Sequence, residues 1–507
     1  MSVVLAAIGS TAGASPRRTA LVGDEVELRY QDLVTEVKRL HQWLAASGYR
    51  SVGMLLDNGP AWVVIDLAAQ QARIVLVPLP AFFSTSQLLH TVRDAGVDVL
   101  LTDTPETLSP VLVKGGLALH SRGSRVVAGR TIHVLQVGGQ AAQPHRHSFA
   151  KITYTSGTTG APKGVCLEQG VIDAVAQSLL IRVTARSVER HLSVLPLTTL
   201  LENIGGVYVP LLAGRTCCVP SLHSIGVLGA AGIDIARMAA ALSKWRASSA
   251  IFVPQMLQRL VKELECGAAP PPALRFLAVG GAPVSQRLVR RALTFGLPVY
   301  EGYGLSECAS VVAVNGPGER QPGSVGKPLP HVRLRFAGDG EILVSGAVFS
   351  GYLGDAPAAS DRFVRTGDLG YLDKDSYLHI TGRKKNMFVT SFGRNVAPEW
   401  VERELALQPG IAQAAVFGEG RPWNTAVIVP AAANGDGAAA ITSAITQTNT
   451  ALPDYARVSS WLVADAPFSV ANGQLTPSGH LRRDAIWTCY ATRIEQMYAQ
   501  SLKEQQL

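Results

Sequence analysis

The chain has 507 residues, a length that corresponds to about three folding units, or to two if one of them is large. Apolar residues make up 47% of the sequence, and this share excludes a long disordered polymer. The formal net charge is +8, but no run of five or more basic residues occurs. The charge therefore favours an anionic small molecule over a nucleic acid as the ligand.

The cysteines and the apolar stretches indicate the compartment. The six cysteines are scattered, and no Cys-x-x-Cys pair occurs, so we expect neither a disulfide framework nor a structural metal site. Residues 1–8 lack a cationic segment and are predicted to form a short helix, not a signal peptide. The most apolar stretch, residues 61–83, contains Asp66 and Arg73 and is too polar for a transmembrane segment. We therefore expect a cytoplasmic protein.

Short β-branched runs alternate with helical stretches in the first part of the chain. Residues 51–56 are predicted to form a buried strand, residues 61–72 a helix and residues 74–78 the next strand. Residues 97–101 repeat the strand pattern. This order is typical of a parallel sheet with right-handed crossovers.

The pattern changes in the second half of the chain. Residues 170–300 again alternate strand and helix signals, whereas residues 324–346 carry short alternating runs. Those runs flank the sequence Gly338-Asp339-Gly340, which is typical of a hairpin turn. A β-rich portion is therefore predicted there.

A smaller α+β segment begins after about residue 383. Its alanine- and glycine-rich stretch, residues 431–440, has the composition of a surface loop. The predicted fold is α/β, with a large N-terminal domain of layered α/β subdomains plus the β-rich portion, residues 1–383. A small mobile α+β C-terminal domain, residues 384–507, is predicted to follow.

The strongest local signal is the sequence YTSGTTGAPKGV, residues 154–165. It holds four serine and threonine hydroxyl groups, three glycines and Lys163. Glycines let backbone N–H groups converge on an anion, while hydroxyls and a lysine add donors and charge. Pro162 and Gly164 stand where a Walker A loop needs glycine and Ser/Thr, so a different phosphate loop is predicted. Composition alone would equally allow a polar surface loop.

Three further blocks follow in order along the chain. They are EGYGLSE at residues 301–307, RTGDL at residues 365–369 and GRKK at residues 382–385. With the glycine-rich loop they make the chain resemble the acyl-adenylate-forming (AMP-binding) superfamily, most closely the fatty-acyl and other acyl-CoA synthetases. The superfamily also contains the adenylation domains of peptide synthetases and the luciferases. The resemblance runs from about residue 16 to residue 490.

The resemblance assigns a role to each block. Tyr303 is flanked by glycines, which let a planar ring approach and stack, and it corresponds to the tyrosine that packs on adenine. Ser306 is expected to touch the α-phosphate and Glu307 to hold Mg²⁺, since a carboxylate beside phosphates needs a hard cation between them. Asp368 is expected to accept from the ribose hydroxyls, and Arg383 to contact ribose or phosphate.

Two positions after residue 383 correspond to moving parts in the superfamily. Lys385 stands at the hinge between the large and small domains. Gly393, in a Gly-x-Asn-x-x-Pro-Glu pattern, is expected to pass close to a pantetheine arm during thioester formation. The residues expected to bind nucleotide or CoA are Thr155, Ser156, Gly157, Thr158, Thr159, Gly160, Gly281, Ala282, Pro283, Tyr303, Gly304, Ser306, Asp368, Arg383 and Gly393, and the expected catalytic residues are Lys163, Glu307 and His480.

The last block departs from the superfamily pattern at one position. The pattern Thr-x-x-Gly-Lys-hydrophobic-x-Arg is matched from Thr476 onward, except that His480 replaces the lysine. The resemblance implies that this residue bridges the acid and the α-phosphate, a step in which two anions must meet. Histidine has a reference pKa of about 6.5 and is mostly neutral at pH 7, although nearby phosphates would favour its charged form.

Three interpretations of His480 stay open. It substitutes for the lysine as a weaker or pH-gated group, or another cation such as Arg482 serves. Alternatively, adenylation is impaired and the protein uses an acyl-nucleotide pocket for another purpose.

The resemblance implies an ATP-dependent, AMP-forming carboxylate–CoA ligase with ATP, Mg²⁺ and CoA as cofactors. The expected acid is a fatty or other hydrophobic acid, which would place the protein in fatty acid metabolism. One alternative is an adenylation enzyme that loads the phosphopantetheine of an acyl carrier protein. Another is a catalytically impaired protein that binds acyl-AMP or acyl-CoA. Neither a nucleic acid partner nor a transmembrane segment is expected.

Overall fold

The computed structural model describes residues 2–138, 149–155, 162–184, 187–228, 232–355, 362–431, 437–476 and 479–504. Its first sheet has eight strands, parallel in the centre and antiparallel toward both edges. In spatial order they are Gly351–Tyr352, Lys163–Leu167, Lys151–Thr155, Val75–Pro78, Ser51–Leu55, Val99–Thr102, Arg130–Gly138 and Ala118–Val127. The three strands predicted before residue 102 are confirmed, with ends shifted by one or two residues.

A second sheet of nine strands packs beside the first. In spatial order its strands are Lys327–Pro328, Ala313–Val314, Val299–Tyr303, Phe276–Val279, Ser249–Phe252, Arg190–Leu192, Thr216–Cys218, Thr19–Val22 and Glu27–Arg29. The six strands from Val299–Tyr303 to Thr19–Val22 are parallel to one another, and the strands beyond them at each edge are antiparallel. The predicted α/β fold class is therefore confirmed.

Helices cover and separate the two sheets. Those before residue 300 are Val3–Ala14, Tyr30–Ser47, Pro60–Ala72, Thr85–Asp94, Pro105–Lys114, Gln169–Val183, the π-helix Leu201–Tyr208, Val209–Leu212, Ile235–Lys244, Pro254–Glu265 and Gln286–Thr294. Helix Pro60–Ala72 is buried on nearly every side, which explains its apolar sequence. Among the described residues, no helix has the length and apolarity needed to cross a membrane.

A buried ionic cluster joins the first sheet to helix Pro60–Ala72 and the π-helix. Lys151 Nζ lies 2.9 Å from Asp66 Oδ1 and donates to Tyr208 Oη at 3.2 Å. Desolvation lowers the pKa of Lys151, and the charge of Asp66 opposes that shift. Because a buried charge is tolerated only with its partners in place, the cluster fixes strand Lys151–Thr155 against the π-helix.

The β-rich portion is a four-stranded antiparallel sheet. Its strands are Val332–Phe336, Glu341–Gly346, Val364–Leu372 and Leu378–Arg383. The predicted hairpin at residues 338–340 is confirmed: Gly340 has φ 81°, and its N–H donates to the Ala337 carbonyl at 2.9 Å.

The segment after residue 383 has its own small sheet. Strands Ile411–Phe417, Asn424–Pro430 and Val458–Val463 form it, with helices Pro398–Ala406, Gly437–Asn449 and Arg483–Glu504 and the short strands Phe388–Val389 and Asn395–Val396. The surface loop predicted for residues 431–440 is wrong at its end, since helix Gly437–Asn449 begins there. Three consecutive alanines favour that helix, and residues 432–436 lie outside the described part of the chain.

Candidate active site

A cavity of about 2010 Å³ opens where strands Lys151–Thr155, Phe276–Val279 and Val299–Tyr303 end and the segment after residue 383 approaches them. Predicted site residues in its wall are Thr155, Lys163, Gly281, Ala282, Pro283, Tyr303, Gly304, Ser306, Glu307, Asp368, Arg383, Lys385 and His480. Residues Ser156, Gly157, Thr158, Thr159 and Gly160 lie outside the described part of the chain. Gly393 lies at the surface, away from this wall, with φ 70°.

One corner of the cavity is built around Asp368. Its carboxylate accepts from Tyr303 Oη at 2.7 Å and from Arg383 Nε at 2.8 Å. Burial, and then the charge of Asp368, raise the pKa of the Tyr303 hydroxyl above its usual range. A neutral ring face and a buried carboxylate therefore stand side by side, as binding of a base and a ribose diol would require.

Backbone geometry holds this corner open. The strand register pairs Asp368 directly with Arg383, so their side chains lie on the same face. Gly367 takes the left-handed conformation with φ 71°, and the Asp368 N–H donates to Thr366 Oγ1 at 3.0 Å. A β-carbon at Gly304 would lie 1.6 Å from the Ser310 carbonyl oxygen, so only glycine fits there.

A second corner combines an acid and a cation. Glu307 Oε1 accepts from Tyr352 Oη at 2.7 Å, and Lys163 Nζ lies 5.1 Å from the centroid of the Tyr352 ring. The described residues hold no group of three His, Cys, Asp or Glu side chains able to bind a metal by themselves. Mg²⁺ is commonly held by one or two carboxylates together with substrate phosphates, and Glu307 fits that type of site.

Helix Thr85–Asp94 holds both ends of the glycine-rich loop, a feature that sequence reasoning missed. Asp94 Oδ2 accepts from Tyr154 Oη at 2.6 Å, just before the loop. His90 Nε2 lies 2.8 Å from the Pro162 carbonyl oxygen, just before Lys163. The spacing of His90 and Asp94 puts both side chains on one helix face, which is the only signal that the sequence offered.

Replacing His90 with alanine should raise the KM for ATP about three- to tenfold with little change in kcat. One neutral hydrogen bond contributes about 1 kcal/mol, and its loss would loosen the backbone next to Lys163. Steady-state kinetics with varied ATP measures the effect, with His120→Ala on the exposed strand Ala118–Val127 as the control. An unchanged KM in a stably folded His90→Ala protein would contradict this role.

His480 enters the cavity from the C-terminal segment. Its N–H donates to Thr476 Oγ1 at 3.0 Å, and its carbonyl accepts from the Thr476 N–H at 2.8 Å. The residue lines the cavity and is exposed. Desolvation lowers its pKa below the usual 6.5, the charge of Arg383 lowers it further, and Glu399 opposes the shift.

Polar contacts hold the C-terminal segment in this position. Ser285 Oγ donates to Glu404 Oε1 at 2.9 Å, and Gln258 Nε2 donates to the Ala406 carbonyl at 2.6 Å. Helix Pro398–Ala406 therefore docks on the helices that follow strands Ser249–Phe252 and Phe276–Val279. In this arrangement His480 lines the same cavity as Tyr303, whereas Gly393 does not.

One part of this cavity, which we call the tunnel, has a mostly apolar wall formed mainly by the second sheet, the π-helix and helix Gln169–Val183. Its wall contains Leu179, Val183, Val188, Leu201, Gly205, Val209, Ile251, Phe276 and Ala278. A β-carbon at Gly205 would lie 3.0 Å from Ile251 Cδ1, so glycine lets the π-helix pack closely on the second sheet. The sequence did not single these residues out, because they come from separate elements.

Comparisons with known proteins agree with this geometry. Residues 10–353 match the family model for the AMP-binding enzyme, and residues 385–502 match that for the AMP-binding enzyme C-terminal domain. The chain is 33% identical to a feruloyl-CoA synthase from Amycolatopsis sp, over 82% of this chain and 86% of that protein. It is 28% identical to the long-chain-fatty-acid–CoA ligase FadD15 of Mycobacterium tuberculosis, over 86% of each chain.

A solved structure shows the same fold. The anthranilate CoA ligase AuaEII, in complex with anthranoyl-AMP, superposes with a TM-score of 0.78 and 18% identity, over 96% of this chain and 97% of that chain. Because the first family model alone spans well over half of the sequence, the resemblance drawn from the four motif blocks is confirmed. The chain belongs to the AMP-binding enzyme family.

Proposed function

We propose that this enzyme joins a hydrophobic carboxylic acid to CoA in two steps. In the first, the carboxylate oxygen attacks the α-phosphorus of ATP, and acyl-AMP forms as pyrophosphate leaves. In the second, the CoA thiol attacks the acyl carbon, and the thioester forms as AMP leaves. The observation that carries the proposal is that one cavity joins the Tyr303–Asp368 corner, the Lys163–Glu307 corner and the apolar tunnel.

The proposed nucleotide roles are supported by the first corner of the cavity. The Tyr303 ring would stack on adenine against the wall formed by Gly281, Ala282 and Pro283, with Gly304 leaving room for the base. Asp368 would accept from the ribose hydroxyls, and its bond to Arg383 orients the carboxylate.

The phosphate roles involve the second corner. Lys163, Thr155 and Ser306 would contact phosphate oxygens, while Glu307 would hold Mg²⁺. When bound, Mg²⁺ would neutralise phosphate charge as pyrophosphate leaves. Tyr352 fixes one Glu307 oxygen by a hydrogen bond and so orients the carboxylate toward the cavity.

The acid is proposed to be hydrophobic, with either an alkyl chain or an aromatic ring. The tunnel wall is mostly apolar, and burial of apolar surface contributes about 25 cal/mol per Å². Relatives of this chain are named for a long-chain fatty acid, for ferulate and for indoleacetate. These names support the general class, and a fatty acid is one member of it.

The second step is proposed to need a different position of the C-terminal segment. Gly393 is exposed here, and Phe392 beside it has 74% of its surface accessible. Rotation of residues 384–507 about a hinge at Lys385, relative to residues 1–383, would bring Gly393 toward the cavity and withdraw His480. A carrier-protein phosphopantetheine could supply the thiol in place of CoA, and a direct comparison of the two acceptors distinguishes them.

A second candidate function follows from His480. Its lowered pKa leaves it mostly neutral at pH 7 before ATP binds, so the first step could be impaired while binding is retained. The protein would then act as a binder of acyl-AMP or acyl-CoA.

A screen of acids tests both candidates. Pyrophosphate release is measured with ATP, Mg²⁺ and a panel of alkyl and aryl acids, followed by CoA consumption. Ligation predicts pyrophosphate release with at least one acid and AMP formation in equal amount once CoA is added. Nucleotide binding without release across the whole panel would contradict ligation and favour the binder.

A further inference from the structure

A buried chain of three polar side chains interrupts the apolar wall of the tunnel. His191 Nδ1 lies 2.9 Å from Ser249 Oγ, and His191 Nε2 lies 2.9 Å from Glu202 Oε1. All three side chains are almost completely buried. His191 and Ser249 reach the cavity wall, whereas Glu202 lies behind them. The nucleotide and phosphate roles proposed above do not involve these three side chains.

The backbone is shaped to make room for these contacts. Strand register pairs His191 with Ser249, which puts both side chains on the face that looks toward the π-helix. A β-carbon at Gly206 would lie 2.2 Å from Glu202 Oε1 and 2.6 Å from His191 Nε2. Glycine at this turn of the π-helix therefore permits the polar chain, and π-helical turns frequently occur at functional sites.

The Ser249 hydroxyl can make one more hydrogen bond in addition to its bond to His191. Glu202 Oε2 already accepts from the Leu195 N–H at 3.2 Å, so Oε1 is the acceptor for His191 Nε2–H. If His191 is neutral, its Nδ1 accepts the Ser249 proton and leaves the serine oxygen as an acceptor. If His191 is charged, Nδ1–H donates and leaves the serine proton free.

A hydroxyl group is the ligand that satisfies both forms, because it can donate and accept. An amine or amide N–H would suit only the neutral form. A second carboxylate would be repelled by Glu202, which is buried directly behind His191. An alkyl chain or an unsubstituted ring would leave the remaining donor or acceptor of the Ser249 hydroxyl, beyond its bond to His191, desolvated and without a partner, which is unfavourable.

The position of Ser249 sets how far this hydroxyl lies from the reacting carboxylate. Ser249 begins strand Ser249–Phe252, whereas the nucleotide corner lies beyond the carboxyl ends of the parallel strands. Three residues along a strand span roughly 10 Å. Ser249 therefore lies deep in the tunnel, on the side remote from Tyr303.

We infer that Ser249, positioned by His191, binds a hydroxyl group carried by the acid roughly 10 Å from its carboxylate. The inference rests on the proposed ligase function and narrows its substrate to hydroxylated hydrophobic acids. Ser249 is the specificity-determining residue, and His191 and Glu202 position it.

Two matched pairs of acids test the inference. The probes are 4-hydroxycinnamate against cinnamate and 8-hydroxyoctanoate against octanoate, with kcat/KM measured by pyrophosphate release. We expect the wild type to prefer the hydroxylated member of at least one pair by roughly tenfold. Ser249→Ala should remove that preference, mainly by slowing the hydroxylated acid.

Two further variants separate the hydrogen bond from a packing effect. Ser249→Cys keeps the size of the side chain but hydrogen-bonds weakly, so it should also lose the preference. Ser193→Ala removes a buried serine hydroxyl that lies outside the cavity wall and should retain it. Thermal unfolding confirms that each variant is folded.

Equal kcat/KM within both pairs would leave ligation intact and overturn the hydroxyl site. A preference that survives in Ser249→Ala would overturn the assignment to Ser249. Failure of all four acids, and of the wider panel, to release pyrophosphate would instead count against the proposed function itself.

Discussion

Replacing His480 with lysine should accelerate ATP–pyrophosphate exchange roughly 10- to 100-fold near pH 7.5. One preorganised donor at a developing negative charge typically contributes 10²–10³ in rate. Burial and Arg383 both lower the pKa of His480, so the wild type holds little positive charge there before substrates bind. A lysine would supply that charge at neutral pH.

The charge state of His480 also predicts how the exchange rate depends on pH. A histidine cation exists below its pKa, and that pKa lies below 6.5 in the free protein. Exchange by the wild type should therefore rise as the pH falls, whereas exchange by His480→Lys should stay flatter. Glu399 also faces His480, and buried Glu301 in the same cavity has a pKa raised to about 7. The difference between the two profiles isolates the contribution of His480.

Two controls restrict the effect to the first step. His223→Lys makes the same substitution at an exposed position outside the cavity wall and should change nothing. Thioester formation from preformed acyl-AMP and CoA should gain little in His480→Lys, because no bond to the α-phosphate is being made. An unchanged or slower exchange rate in His480→Lys would refute the interpretation that His480 takes over the role of the superfamily's lysine. It would then favour Arg482, which also lies in the cavity wall, or impaired adenylation.

Replacing Asp368 with asparagine should lower kcat/KM for ATP by roughly 100-fold. The carboxylate is buried and is proposed to accept from two ribose hydroxyls, and hydrogen bonds to a charged group contribute about 1.5–3 kcal/mol each. The amide keeps the size of the side chain and an acceptor for Tyr303, but it loses the charge that pairs with Arg383. Equilibrium binding of ATP together with steady-state kinetics measures the loss.

Two companion variants define this effect. Tyr303→Phe keeps the ring that is proposed to stack on adenine, so its loss should be much smaller than that of Asp368→Asn. Asp375→Asn, in an exposed turn outside the cavity wall, should be neutral. Normal ATP affinity in Asp368→Asn would exclude Asp368 as the ribose ligand, and an equally large loss in Tyr303→Phe would indicate that the hydroxyl, not the ring, is used.

Local motifs predicted the residues on the proposed nucleotide side of the cavity because each motif is nearly continuous in sequence. Tyr303 and Glu307 stand in one block, and glycines around them mark where the backbone must approach closely. The pairing of Asp368 with Arg383 required the strand register, which the two blocks alone do not specify. Even so, both residues were predicted from their order along the chain.

The tunnel and the helix that holds the loop could not be predicted in this way. His191, Ser249 and Glu202 come from three separate elements, and an isolated buried histidine or serine carries no signal of its own. His90 meets Pro162 only because strand pairing brings distant segments together. The domain bounds and the roles of the individual site residues stay predictions, and the role of Gly393 concerns another position of the C-terminal segment.

The cavity wall is formed by residues before residue 384 and by residues of the C-terminal segment after it. This division affects when the first step can occur. On the proposed roles, Tyr303, Asp368 and Lys163 grip ATP whether or not helix Pro398–Ala406 remains seated on Ser285 and Gln258. His480 arrives only when that helix is seated. The enzyme could thus bind ATP before the first step is possible. Whether the bound ATP reacts would then depend on the docking of one helix and not on the affinity for ATP.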